Sequence, residues 1–209
     1  MRPGAVNLRS FHLGVDLGQR VDHTAFVLVE QQVVVTAQRD LVSYEYLRER
    51  KLYVRLVERV RLGQGYQDVV SEVSRLTHCE ELRGGTVTTA VDATADTIAG
   101  GAVSGGDYGG LEGSYRDGFY PTPRTELLLG VQKAFEQEGL AVAPGVGGWD
   151  LLEKELKAMR KVQSARGPRF ETLGAHDDLV FALGLALFGV RMRRLPVEGE
   201  AVRRRSGIL

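Results

Sequence analysis

The chain has 209 residues, 43% hydrophobic and 26% charged, enough for one well-filled domain with an insertion and too few for two full enzyme domains. Lys+Arg and Asp+Glu are both 27, so a net charge of zero offers no whole-chain attraction to nucleic acid, and a single cysteine, Cys79, excludes both a disulfide framework and a cysteine-based zinc cage. No apolar run reaches the ~20 residues of a membrane span, and the start, MRPGAVNLRSFHLG, lacks a signal-peptide core, so no membrane association is expected and the expected location is cytoplasmic.

In chain order, residues 11–17 alternate loosely, and a polar turn over 18–23 follows. The β-branched runs 24–30 and 33–36, joined at Gln31-Gln32, complete three expected antiparallel strands. Residues 41–61 carry both a helical charge rhythm and strand-like pairs, and the pattern leaves both readings open. Residues 66–82 predict an amphipathic helix on Val69, Val70, Val73 and Leu76, stopped by Gly84-Gly85. Residues 86–91 predict a short strand, added parallel to the sheet and ending at Asp92. Residues 100–118 contain eight glycines and almost nothing apolar, which predicts a loop or active-site flap; no glycine there precedes a lysine, so it is not a Walker A phosphate loop.

Further helices are expected over 125–137, with Leu128, Val131 and Phe135 as its stripe, and over 149–162, with Leu152, Leu156 and Met159 inward. Short strands are expected at 140–143 and 169–171. Residues 177–190 are apolar nearly all round, which predicts a helix buried on most of its surface. Six arginines in the last nineteen residues form a basic tail, 191–209, read either as a solvated end or as a phosphate-contacting arm. The fold class expected is α/β, with a mixed central sheet flanked by helices.

Three acidic stretches stand at the ends of apolar segments: GVDLG around Asp16, AVDAT around Asp92, and HDDLV containing Asp177 and Asp178. Singly, each has a bland reading, as a turn former at Asp16, an Asx-turn at Asp92 and a helix N-cap at Asp177 or Asp178. Jointly, carboxylates at the tips of buried elements repel one another and need counter-charge, which points to divalent cations. Two Mg²⁺ or Mn²⁺ ions held by oxygen ligands suit phosphodiester hydrolysis.

These residues carry a resemblance. GVDLGQRVDHTAFVLVE, TAVDATA, PTPRTELL, WDLLEKELKAM and GAHDDLVFALGLAL are similar to the nuclease domain of phage large terminase subunits, within the RNase H-like superfamily, over residues 11–190. The resemblance implies one RNase H-like nuclease domain over 1–209 that cuts double-stranded DNA by a two-metal mechanism, with Asp16, Asp92, Asp177 and Asp178 as catalytic and metal-binding residues. It further implies Asp22 as a supporting residue behind them, while His176 is read either as a supporting residue that hydrogen-bonds substrate or carboxylate or as a simple helix-start histidine. A terminase ATPase domain, a small subunit and a portal are the implied partners, and a phage or prophage protein in a bacterial host is the implied setting. Arg20, His23, Arg116 and Arg124 are candidate DNA contacts. The alternatives are a junction resolvase-like nuclease of the same superfamily and a non-catalytic DNA-binding packaging module. An actin-like or sugar-kinase ATPase is disfavoured because that fold needs a second Asp-x-Gly loop and Val-Asp-Ala-Thr supplies no such glycine.

Overall fold

A computed structural model describes residues 2–18, 23–92, 122–164, 167–174 and 176–193. Three long strands open the chain: β1 (Val6–Asp16), β2 (Ala25–Arg39) and β3 (Tyr46–Arg59), paired antiparallel in succession. Helix α1 (Tyr66–Thr77) and a 3-10 turn (Glu80–Leu82) lead to β4 (Thr86–Val91), which lies parallel to β1. Then come α2 (Arg124–Glu136), the short β5 (Ala141–Val142), α3 (Trp149–Ala158), the hairpin β6 (Met159–Ser164) and β7 (Gly167–Thr172), and α4 (Asp178–Met192). The main sheet runs β4-β1-β2-β3-β5, and β6-β7 form a separate pair. Three antiparallel strands with a parallel fourth beside the first make the mixed sheet expected from the sequence.

Several local expectations are corrected. Gln31-Gln32 makes no turn; both lie within β2, and Gln31 is fully buried. The third antiparallel strand is β3, drawn from the ambiguous segment, where pairing to β2 along nearly its whole length overrides the helical charge rhythm. The stripe of α2 is Leu127, Leu128, Val131 and Ala134, with Phe135 turned toward solvent. The expected helix over 149–162 ends at Ala158, because Met159 begins the β6 pairing with β7. Arg169, Phe170 and Glu171 belong to that hairpin and not to an edge of the main sheet. The glycine-rich stretch 100–118 and the basic tail beyond Arg193 lie outside the described residues.

The period-2 rule sorts β1 between two apolar clusters. Phe11, Leu13 and Val15 pack with Val69, Leu76 and Leu82 on the α1 side. Ser10, His12, Gly14 and Asp16 alternate with them and so share the opposite face, where α4 lies. Helix α4 buries Leu179, Val180, Ala182, Leu183 and Ala186 against Val27, Val29, Leu128 and Val131. Such near-complete burial explains why its sequence is apolar all round. Its approach to the sheet is close at Gly14, where a Cβ would stand 1.9 Å from the Ala182 carbonyl oxygen and 2.5 Å from the Ala186 nitrogen. This contact sets where the first turn of α4 meets the end of β1.

Candidate active site

Asp16 is the last residue of β1, and the Asp92 N–H donates to the Val15 carbonyl at 3.0 Å, extending the parallel β1-β4 ladder by one step. The two strand ends therefore deliver Asp16 and Asp92 side by side. From the other side of the edge, α4 begins with Asp177 at its N-cap and Asp178 in its first turn, Asp178 being 7% exposed. The Asp16 carboxyl is pushed up to about 7, first by burial, then by the negative charges of Asp92, Asp178 and Asp177, with Arg124 opposing the rise. The structure thus brings Asp92, Asp178 and Asp177 close enough for their charge to act on Asp16. Among the described residues, no three acidic, histidine or cysteine side chains close into a metal-binding group.

Of the bland readings, a side-chain N-cap at Asp177 is not what the local bonds show, and the Asx-turn from Asp92 to Thr94 lies outside the described residues. Near Asp16, the Gly18 N–H donates to the Thr24 hydroxyl at 3.1 Å. Asp177 stands at the N-cap position of α4 but its side chain makes no capping bond. Its Oδ2 instead accepts from the Thr172 hydroxyl of β7 at 2.7 Å and from the Arg124 guanidinium. The capping is done from another element: Glu155 of α3, 5% exposed, accepts the Leu179 and Val180 N–H groups on Oε2 at 3.0 and 3.2 Å. A carboxylate there satisfies two orphan donors and complements the helix dipole. On Oε1, Glu155 accepts from the Arg59 guanidinium at the end of β3, and Arg59 Nε lies 3.8 Å from Asp178 Oδ2.

No sequence motif points to Arg59 or Thr172. For Glu155 the available signal was an acid between Leu152 and Leu156 on the inward stripe of a helix, a place where a charge needs a built partner.

The remaining candidates divide. His176 Nδ1 lies 3.8 Å from Asp178 Oδ2, and its ring meets that of His23 edge-on at 5.4 Å. His23 is anchored by Nδ1–H donating to the Val60 carbonyl at 2.9 Å. Arg124, expected as a DNA contact, is held at the acidic edge by Asp177 and stacks 3.7 Å over the Phe181 ring. Arg20, Asp22 and Arg116 lie outside the described residues.

The fold and edge define a class: a mixed α/β domain with carboxylates converging where β1, β4 and a buried helix meet. The chain is similar to the large terminase nuclease from thermophilic phage G20c, at 20% identity and a TM-score of 0.49, covering 85% of this chain and 81% of that one. No family model matches the chain, and no curated protein matches it.

Proposed function

We propose that the protein is a divalent-cation-dependent endonuclease acting on double-stranded DNA. The observation that carries this reading is the meeting of Asp16 and Asp92 at the paired ends of β1 and β4 with Asp177 and Asp178 at the start of α4, a crowding of charge that, with burial, raises the Asp16 carboxyl. A site that concentrates negative charge at such cost, with all-oxygen donors and no thiolate, fits Mg²⁺ or Mn²⁺ in its ligand chemistry. Asp16, Asp92 and Asp178 are the residues that would hold two such ions, with Asp177 oriented beside them by Thr172 and Arg124. When bound, the ions supply a nucleophilic water and stabilisation of the leaving 3′ oxygen.

The chain's own residues do the rest. The sheet ends fix two carboxylates in register, α4 fixes the others, and His23 and His176 line the adjoining side. Burial excludes bulk water behind Asp16 and Asp178, which strengthens their interaction with cations.

The test is cleavage of supercoiled plasmid. With Mn²⁺ the protein nicks or linearises it, chelator stops the reaction, and Asp16→Asn or Asp178→Asn lowers the rate by at least ~100-fold. Equal rates in these variants and the parent would sink the proposal. Faster cleavage of four-way junctions than of linear duplex would move the substrate to branched DNA.

A further inference from the structure

We infer that Arg9 and Arg55, both held by the buried Glu30, form a docking site for the phosphate groups of duplex DNA, away from the acidic edge. The choice of DNA as the anion rests on the function proposed for that edge. Glu30 lies within β2 with its side chain fully enclosed; it accepts from Arg9 Nε at 2.6 Å on Oε1 and from Arg55 Nε at 2.5 Å on Oε2. Gln32 adds a third bond, to Oε1 at 2.8 Å. Burial pushes the Glu30 carboxyl up, but the bonds from Gln32, Arg9 and Arg55 outweigh it and hold the group below its ordinary value. Glu30 is therefore ionised, and two guanidiniums share its one negative charge. The cluster keeps a net positive charge, and the neighbouring Lys51 is balanced by Glu49 at 2.9 Å.

The backbone is shaped to place the second arginine. Leu28 pairs with Leu56 but Val29 with Val54, so Arg55 is the extra residue of a β-bulge in β3. A bulge re-aims a side chain, and this one brings Arg55 onto Glu30 from one side of β2 while Arg9 reaches it from β1 on the other. Each guanidinium also lies over an aromatic ring, Arg9 at 4.9 Å from Phe11 and Arg55 at 5.2 Å from Tyr53. Both hold Glu30 through Nε with side chains 37% exposed, which offers their Nη donors, already oriented, to phosphate oxygens. One arginine would neutralise Glu30, so the second is surplus to burial. At the acidic edge, by contrast, Arg124 and Arg59 are engaged by Asp177 and Glu155. Arg9 precedes Asp16 by seven residues of β1, ~23 Å of strand, a length that a duplex covers in ~7 base pairs.

The test uses the non-cleaving Asp16→Asn protein as parent, a labelled duplex read by fluorescence anisotropy in chelator, and thermal unfolding to follow folding. Arg9→Gln and Arg55→Gln are each expected to weaken duplex binding by ~3-fold or more at about 100 mM salt and to make the log-log salt slope shallower by about 0.9. Arg9→Gln/Glu30→Gln returns the cluster to the parent's charge with one guanidinium fewer, so its slope stays shallower if the arginine touches phosphate. Millimolar inorganic phosphate at constant ionic strength should leave the duplex bound. In the chain that retains Asp16, with Mn²⁺, Arg9→Gln raises the half-saturating plasmid concentration by ~3-fold and leaves the rate at saturation unchanged.

A purely structural cluster predicts lower unfolding temperatures with duplex affinity and slope equal to the parent's; that result overturns the inference. So does displacement of the duplex by inorganic phosphate, which would assign the site to the free anion. Should a single variant fail to fold, Arg9→Gln/Glu30→Gln, which leaves no unpaired carboxylate, decides in its place, and a slope equal to the parent's overturns the inference. If duplex binding depends on the two arginines but the chain that retains Asp16 cleaves no DNA, the nuclease reading fails and this site stands. If that chain cleaves and the arginine variants bind duplex as the parent does, only the docking site fails.

Discussion

Asp16 shows how one residue can be a cost to the fold and, in the function proposed, the centre of its chemistry. Its carboxyl titrates at about 7, against 3.8 for an ordinary aspartate, so between those values the folded protein holds a proton that the unfolded chain has released. Stability contributed by this group is therefore lost as pH rises from about 4 to about 7, and the full penalty stands above that. With Asp16 half-buried, the penalty is on the order of 2–4 kcal/mol. In chelator, Asp16→Asn should unfold at a higher temperature than the parent near pH 8. The advantage should shrink toward zero near pH 4. An advantage that does not vary with pH would show that the carboxyl is not raised. His12 pulls the other way, since burial and then the Arg193 charge lower it to about 4. Following the difference between variant and parent, rather than the parent alone, removes its contribution.

At the scale of elements, the decisive contact is α4 on β1. The alternation that sends Phe11, Leu13 and Val15 to one cluster leaves Gly14 facing α4, and the absence of a side chain there lets the helix backbone approach. Gly14→Ala would press a methyl into the Ala182 carbonyl and the Ala186 nitrogen, both backbone atoms that cannot rotate away. The expected loss is at least ~3 kcal/mol, with weakened Mn²⁺ binding even in the fraction that folds, because α4 carries Asp177 and Asp178. Chemical denaturation gives the first and calorimetric titration the second. A stability within ~0.5 kcal/mol of the parent would mean that α4 does not sit against β1 at this point. By contrast, the nearest atoms to a Cβ at Gly130 on α2 are those of the Arg191 guanidinium, at 3.7 Å, which a flexible side chain can vacate.

At the scale of the whole molecule, charge balance shapes how DNA would be bound. With 27 basic and 27 acidic residues, long-range attraction is weak, and the acidic edge itself repels phosphate until cations are present. Arg124, beside the acids, is paired with Asp177, and Arg59 with Glu155, so both of these cations are already engaged there. Duplex affinity of a non-cleaving Asp16→Asn protein should therefore be low in chelator. It should fall between about 50 and 200 mM salt with a log-log slope no steeper than about −3, at about −0.9 per phosphate contact. Fluorescence anisotropy with a labelled duplex measures it. A slope near −8 would place most of the binding on a basic surface of the kind the arginines of the tail provide.

What was legible in the sequence was local. Alternation in β1, a β-branched run ending at Asp92 and an all-round apolar segment after His176-Asp177-Asp178 each fixed an element, and the acids at their ends marked an edge, because period and turn chemistry act within a few residues. Less regular stretches stayed ambiguous: β3 was resolved by its pairing with β2, and the end of α3 by the start of a hairpin. The network behind the acids belongs to the tertiary structure alone. Arg59 and Glu155 are separated by 96 positions, and Arg124 and Asp177 by 53. Their partnerships exist only because the packed sheet and α4 enclose charges that must then find one another, a requirement that burial imposes and no sequence spacing encodes.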